Sequence, residues 1–93
     1  MKKTRKARGR NIIGQRVREA RLKANPSVSQ DDLAGRLAAQ GVLLDRTAIS
    51  RIENQDRYVM DYEAAALAIA LRVTVAWLFG ECAQRRRSQE FNG

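Results

Sequence analysis

The chain has 93 residues, with 18 Lys and Arg against 10 Asp and Glu, a net charge of +8, one cysteine, one proline and no histidine. That length supports one domain, near the lower limit of what holds a core without staples. A lone cysteine makes no internal disulfide, and without histidine there is no Cys/His zinc cage and no His-based acid–base constellation. No apolar run has the length of a membrane span, and the basic start is not followed by the apolar core of a secretion signal. These features predict a small, reduced, cytoplasmic domain that is not an enzyme and binds neither metal nor cofactor. Cys82 reads as an inert thiol.

The charge is unevenly placed. Residues 1–10 hold Lys2, Lys3, Arg5, Lys6, Arg8 and Arg10 without an acid, a local +6, whereas 11–80 and 81–93 carry +1 each. The expected organisation is a disordered basic arm (1–10), one folded domain (11–80) and a short polar tail (81–93). Such an arm either keeps a protein soluble or lies along an anionic polymer, where it displaces counterions. A membrane surface would attract it too, but neither a lipidation signal nor a long basic amphipathic helix is present. Any specificity falls to the near-neutral middle.

Ile13, Val17, Ala20 and Ala24 recur at helical spacing and predict a first helix, with Asn11 able to cap its start and Asn25-Pro26 ending it. Ser29 reads as the next N-cap, with Asp32 three residues on as in a capping box, and Leu33, Ala34, Leu37 and Ala38 as the inward face. Gly41 is the expected left-handed stop. Leu43 and Leu44 could then pack and keep the angle of the next helix.

A third helix should start after Asp45. With each residue advancing 100°, Arg46, Thr47, Ser50, Arg51 and Asn54 cover an arc of about 140°, and Ala48, Ile49 and Ile52 lie opposite. The buried face is narrow and the outer face is entirely hydrogen-bonding. Asp61 is the expected cap of a fourth helix with Ala64, Leu67, Ala68 and Leu71 inside. Thr74 caps a last short helix, Val75 to Phe79, ended by Gly80. The cluster Trp77-Leu78-Phe79 is too dense for one small core stripe. No segment alternates with period two, so the fold class expected is all-α, a compact set of five short helices.

Two helices joined by a turn, the second capped and polar on its outer face, are the elements of a helix-turn-helix. Four segments in order resemble the Cro/repressor-type (Xre-like, lambda-repressor-like) DNA-binding family: Ile13 to Arg21, Ser29 to Ala34, Thr47 to Asn54, and Ala66 to Leu78. The resemblance covers about residues 11–80. It implies a lambda-repressor-like domain with its helix-turn-helix in helices 2 and 3. Arg46, Thr47, Ser50 and Arg51 would then contact base edges, which suits their chemistry: arginine can make two bonds to guanine, and serine and threonine are adaptable.

The same resemblance implies phosphate contacts from Gln30, Asn54 and Arg57, and a structural pair of Arg21 with Glu53. Two departures stand out. The stretch from Leu33 to Asp45 is longer than in compact members, and Gln55 stands where a glycine is common, so a left-handed backbone there would be strained.

The function expected is sequence-specific binding of double-stranded DNA by a bacterial or phage-type transcriptional repressor acting by occupancy. A homodimer on a near-palindromic site follows from the few base pairs one copy reads, with Trp77, Leu78 and Phe79 as candidate interface. The alternative is an antitoxin-like or other protein-interaction module of the same fold, with an unknown protein partner. RNA binding suits the arm but not the helix, because an RNA duplex hides its major groove and no aromatic platform is present for single strands.

Overall fold

Side-chain caps set most of the helix starts. A computed structural model describes residues 9–80; most of the basic arm (1–8) and the tail 81–93 with Cys82 lie outside the described residues. Among the described residues there are five helices and no strand: α1 (Gly14–Lys23), α2 (Gln30–Ala39), α3 (Arg46–Glu53), α4 (Asp61–Leu71) and α5 (Val75–Leu78). None of these is long and apolar enough to cross a membrane.

The Asn11 carboxamide oxygen accepts from the Ile13 and Gly14 amides at 3.1 and 2.8 Å, which caps α1 from outside its first turn. At α2 the box is reciprocal: Ser29 Oγ accepts from Asp32 N at 2.9 Å, and Asp32 Oδ2 accepts from Ser29 N at 3.2 Å. Asp45 Oδ1 accepts from Ala48 N at 2.8 Å, and Thr74 Oγ1 from Trp77 N at 2.9 Å. The expectation for α4 needs correcting. Met60 takes the N-cap position and Asp61 is already helical. The amide of Met60 is satisfied by Glu63, reaching back from the first turn at 2.9 Å.

Three helices close in the same way, with one left-handed residue and two reversed amide bonds. Gly41 (φ 82°) does so after α2. After α3 it is Gln55 (φ 61°), whose amide donates to Ile52 O while Asp56 N donates to Arg51 O. After α4 it is Arg72 (φ 60°), with Val73 N donating to Ala68 O. Gln55 therefore adopts the backbone that glycine would take with less strain.

One apolar cluster joins all five helices, with Val17, Leu33, Leu37, Ile49, Ile52, Leu67 and Leu78 at zero exposure. Within it α3 packs on α1 and α2, and α4 packs on α1, α2 and α5. Arg36 of α2 and Gln40 at its C-cap donate to the Ala70 and Ala66 carbonyls of α4, and the first of these satisfies a helix-end acceptor that lacks an intrahelical partner. Two inward assignments and one interface assignment need revision. Ala38 is exposed, and of the loop leucines only Leu44 packs, with Leu43 left 84% exposed. Leu78 is wholly buried inside its own chain, which removes it from any interface between copies. Its neighbour Trp77 is half-buried beneath Arg16, whose guanidinium lies 4.6 Å from the ring centroid.

Candidate nucleic-acid interface

The eight residues of α3 divide into an inner and an outer set. Ile49 and Ile52 enter the core, and Glu53 is buried beside them. A buried carboxylate is costly unless charge and hydrogen bonds compensate it. Here both oxygens are used: Arg21 Nε donates to Oε2 at 2.7 Å and Arg21 Nη2 to Oε1 at 2.9 Å, a bidentate pair between α1 and α3. The third nitrogen of Arg21 donates to Val28 O at 3.1 Å, and Gln30 Nε2 of α2 donates to Glu53 Oε1 at 3.1 Å. Hydrogen bonding to Glu53 is the main reason that the Arg21 pKa lies above its ordinary value, against the opposing effect of burial. One carboxylate thus ties three helices together.

The start of α1 is pinned to the end of α3 by a second polar knot. Asn11 Nδ2 donates to Ile52 O at 3.1 Å and to Arg57 O at 2.9 Å, while Gln55 Nε2 donates to Asn11 O at 3.1 Å. Gly14 lies against this junction so closely that a Cβ there would collide with the Ile52 carbonyl oxygen and sit 2.9 Å from that of Glu53. Gly9 and Arg10 close the junction from outside, with Arg10 N donating to Gln55 O at 2.9 Å. The end of the expected arm is thus part of the folded body.

With its inner face fixed, α3 turns its remaining polar residues outward, while Ala48 packs against the edge of the core. Arg46, Thr47, Arg51 and Asn54 are exposed and Ser50 is partly so. The arrangement is a capped helix about 12 Å long, bearing two guanidinium groups and two hydroxyls on one side. Chemically it offers donors and acceptors suited to a planar polar surface. Gln30 sits half-buried at the first turn of α2 with its amide bound to Glu53.

Arg57 stands apart from the outer face. Its Nη1 donates to Glu63 Oε1 at 3.0 Å and to Tyr58 O at 3.0 Å, and its side chain is 29% exposed. Burial pushes the Glu63 carboxyl up, but the bonds from Arg57 and the Met60 amide outweigh it, and its pKa lies below the usual 4.5. The charge of Arg57 is neutralised where it sits.

Sequence reasoning did not foresee three residues beside the outer face: Asp31, Asp56 and Arg10. Asp31 Oδ2 lies 3.6 Å from Arg46 Nη1. Asp56 Oδ2 lies 3.9 Å from Arg51 Nε, and its Oδ1 accepts from Arg10 Nη1 at 3.1 Å. Only the spacing of Arg51 and Asp56 carried any local signal. The others meet through the fold. No family model matches this chain, and no curated protein and no solved structure matches it either.

Proposed function

We propose that this chain is a sequence-specific double-stranded DNA-binding protein, a transcriptional repressor of the Cro/repressor type, in which α2 and α3 form the helix-turn-helix. The observation that carries the reading is the division of α3, held by Ile49, Ile52 and Glu53 and presenting Arg46, Thr47, Ser50 and Arg51 to solvent. A helix of this width fits the major groove of B-DNA, about 12 Å wide, where each base pair displays its own donor and acceptor pattern. Arginine bidentate to guanine, with serine and threonine beside it, is a vocabulary suited to that groove. Gln30 and Asn54 flank the helix and are assigned to phosphate. Arg57, occupied by Glu63, is assigned to shaping the loop after α3. The basic residues ahead of Gly9 add sequence-independent affinity.

Two copies on an inverted repeat supply the length of site that one copy lacks. Phe79 keeps its place at that interface because it remains partly exposed. A protein-docking module of the same fold has one observation in its favour: α4 is apolar on its outer side, with Tyr62 and Ile69 both more than half exposed.

Selection of bound sequences from a random duplex pool at near-physiological salt decides between the two. An enriched inverted repeat is the expected result, and a folded protein that enriches nothing overturns the DNA reading. On the selected site Arg46→Ala is expected to cost about 1–3 kcal/mol while leaving non-specific binding nearly unchanged. An equal loss on every sequence removes Arg46 from base contact.

A further inference from the structure

Both arginines of α3 end on a carboxylate supplied from outside the helix. At its start, Arg46 faces Asp31 in the first turn of α2 at 3.6 Å. At its end, Arg51 faces Asp56 at 3.9 Å through Nε, and its Nη2 donates to the Asp56 carbonyl at 3.2 Å. Asp56 is shared, because Arg10 reaches its other oxygen at 3.1 Å and lies 5.8 Å from the centroid of the Tyr58 ring. All five charged side chains are more than half exposed. Exposed pairs of this kind add little to stability, so the fold does not depend on them. Their placement instead governs what the guanidinium groups are free to do.

We infer that Asp31 and Asp56 are specificity-determining residues that keep Arg46 and Arg51 off the phosphates of non-cognate DNA. This rests on the DNA reading above. On a non-cognate duplex an arginine has only phosphate to gain, and the carboxylate beside it already supplies an anionic partner. The same carboxylate repels the approaching backbone. On the cognate site the guanidinium meets a guanine edge, where two directed bonds outcompete a long, solvated ion pair. The two acids therefore weaken binding everywhere and weaken it most where base contacts are missing. Discrimination against the many competing sites of a genome is a ratio, and these residues raise it.

The test uses the full chain with Asp31→Asn and Asp56→Asn, separately and combined, on the selected duplex and on a scrambled one across a salt series. Asp61→Asn is the control: it removes the same charge at the start of α4, where no arginine pairs with it among the described residues. Circular dichroism confirms that each variant keeps its helices, and Asp56→Glu should restore wild-type behaviour.

Each of the two variants is expected to tighten scrambled-duplex binding about two- to fivefold, the range an exposed ion pair spans. The salt slope should steepen by about 0.9 as one more cation reaches phosphate. Affinity for the selected site should rise less, so the ratio falls, while Asp61→Asn moves both duplexes together. An unchanged ratio in Asp31→Asn and Asp56→Asn, with wild-type selectivity intact, overturns this inference alone. Failure of the wild-type chain to prefer any duplex overturns the DNA reading and this inference with it.

Discussion

Replacing Arg21 by methionine isolates the carboxylate that holds α3. The pair is buried, with side chains 10% and 4% exposed, and has two charge-assisted bonds of 2.7 and 2.9 Å. In the variant, Glu53 keeps only the bond from Gln30, and its charge is otherwise uncompensated. Breaking a buried pair from one side costs about 3–5 kcal/mol, and the remaining Gln30 bond places Arg21→Met towards the lower figure. Glu53→Met leaves Arg21 with Val28 O alone and should cost a similar amount. A domain of this size has only about 4–11 kcal/mol in total, so either change removes a large share of its stability.

The double variant leaves no charge behind. Apolar replacement of a whole buried pair is commonly neutral or better, so it should lie within about 2 kcal/mol of the wild type. Urea unfolding followed by far-ultraviolet circular dichroism measures all four corners of the cycle, with the m-value checking that the transition stays two-state. Additive single losses, or a cost below about 1 kcal/mol for Arg21→Met, would show that water screens the pair as it screens surface charges.

Two further outcomes come from the packing. Gly14→Ala should lower stability by about 1–3 kcal/mol although alanine is the better helix former, because the new methyl meets backbone carbonyls of α3 that cannot move aside. A rise in melting temperature would refute that close approach. Glu63 governs part of the acid limb: its folded pKa lies below the ordinary 4.5, so its contribution is complete above that value and is lost as pH falls through the lower, folded one. Stability should hold from neutrality to about pH 5 and decline below, and Glu63→Gln should flatten that decline. The same acid limb in wild type and variant refutes the assignment.

What the sequence made legible was local. Ser29, Asp45 and Thr74 cap their helices through bonds that span three residues, and a hydroxyl or carboxylate just ahead of a helical pattern announces them. The same rule misplaced the start of α4, because the competing acceptor, Glu63, is fixed by Arg57 and by burial, neither visible in a short window. Adjacent leucines in the loop gave no periodicity, so nothing in the order Leu43-Leu44 told which would turn inward. In Trp77-Leu78-Phe79 the density of apolar groups was plain, but a helix of four residues commits only one of them fully to the core. For the candidate site, the wheel separated the inner from the outer face of α3 correctly. The acids facing Arg46 and Arg51 escaped it because they arrive from α2 and from the loop after α3.

The separation of α3 into an anchored side and an open side has a consequence for engineering. Its tilt is set by Ile49, Ile52 and the Glu53 knot, none of which points outward. Positions 46, 47, 51 and 54 can therefore be randomised together with little penalty to the scaffold, since substitutions at exposed positions away from such features usually change stability by less than about 0.5 kcal/mol. Under the proposed DNA reading, the mounting of α3 stays constant while its outer residues are exchanged, and a library built on those positions would sample new recognition without asking the domain to fold anew.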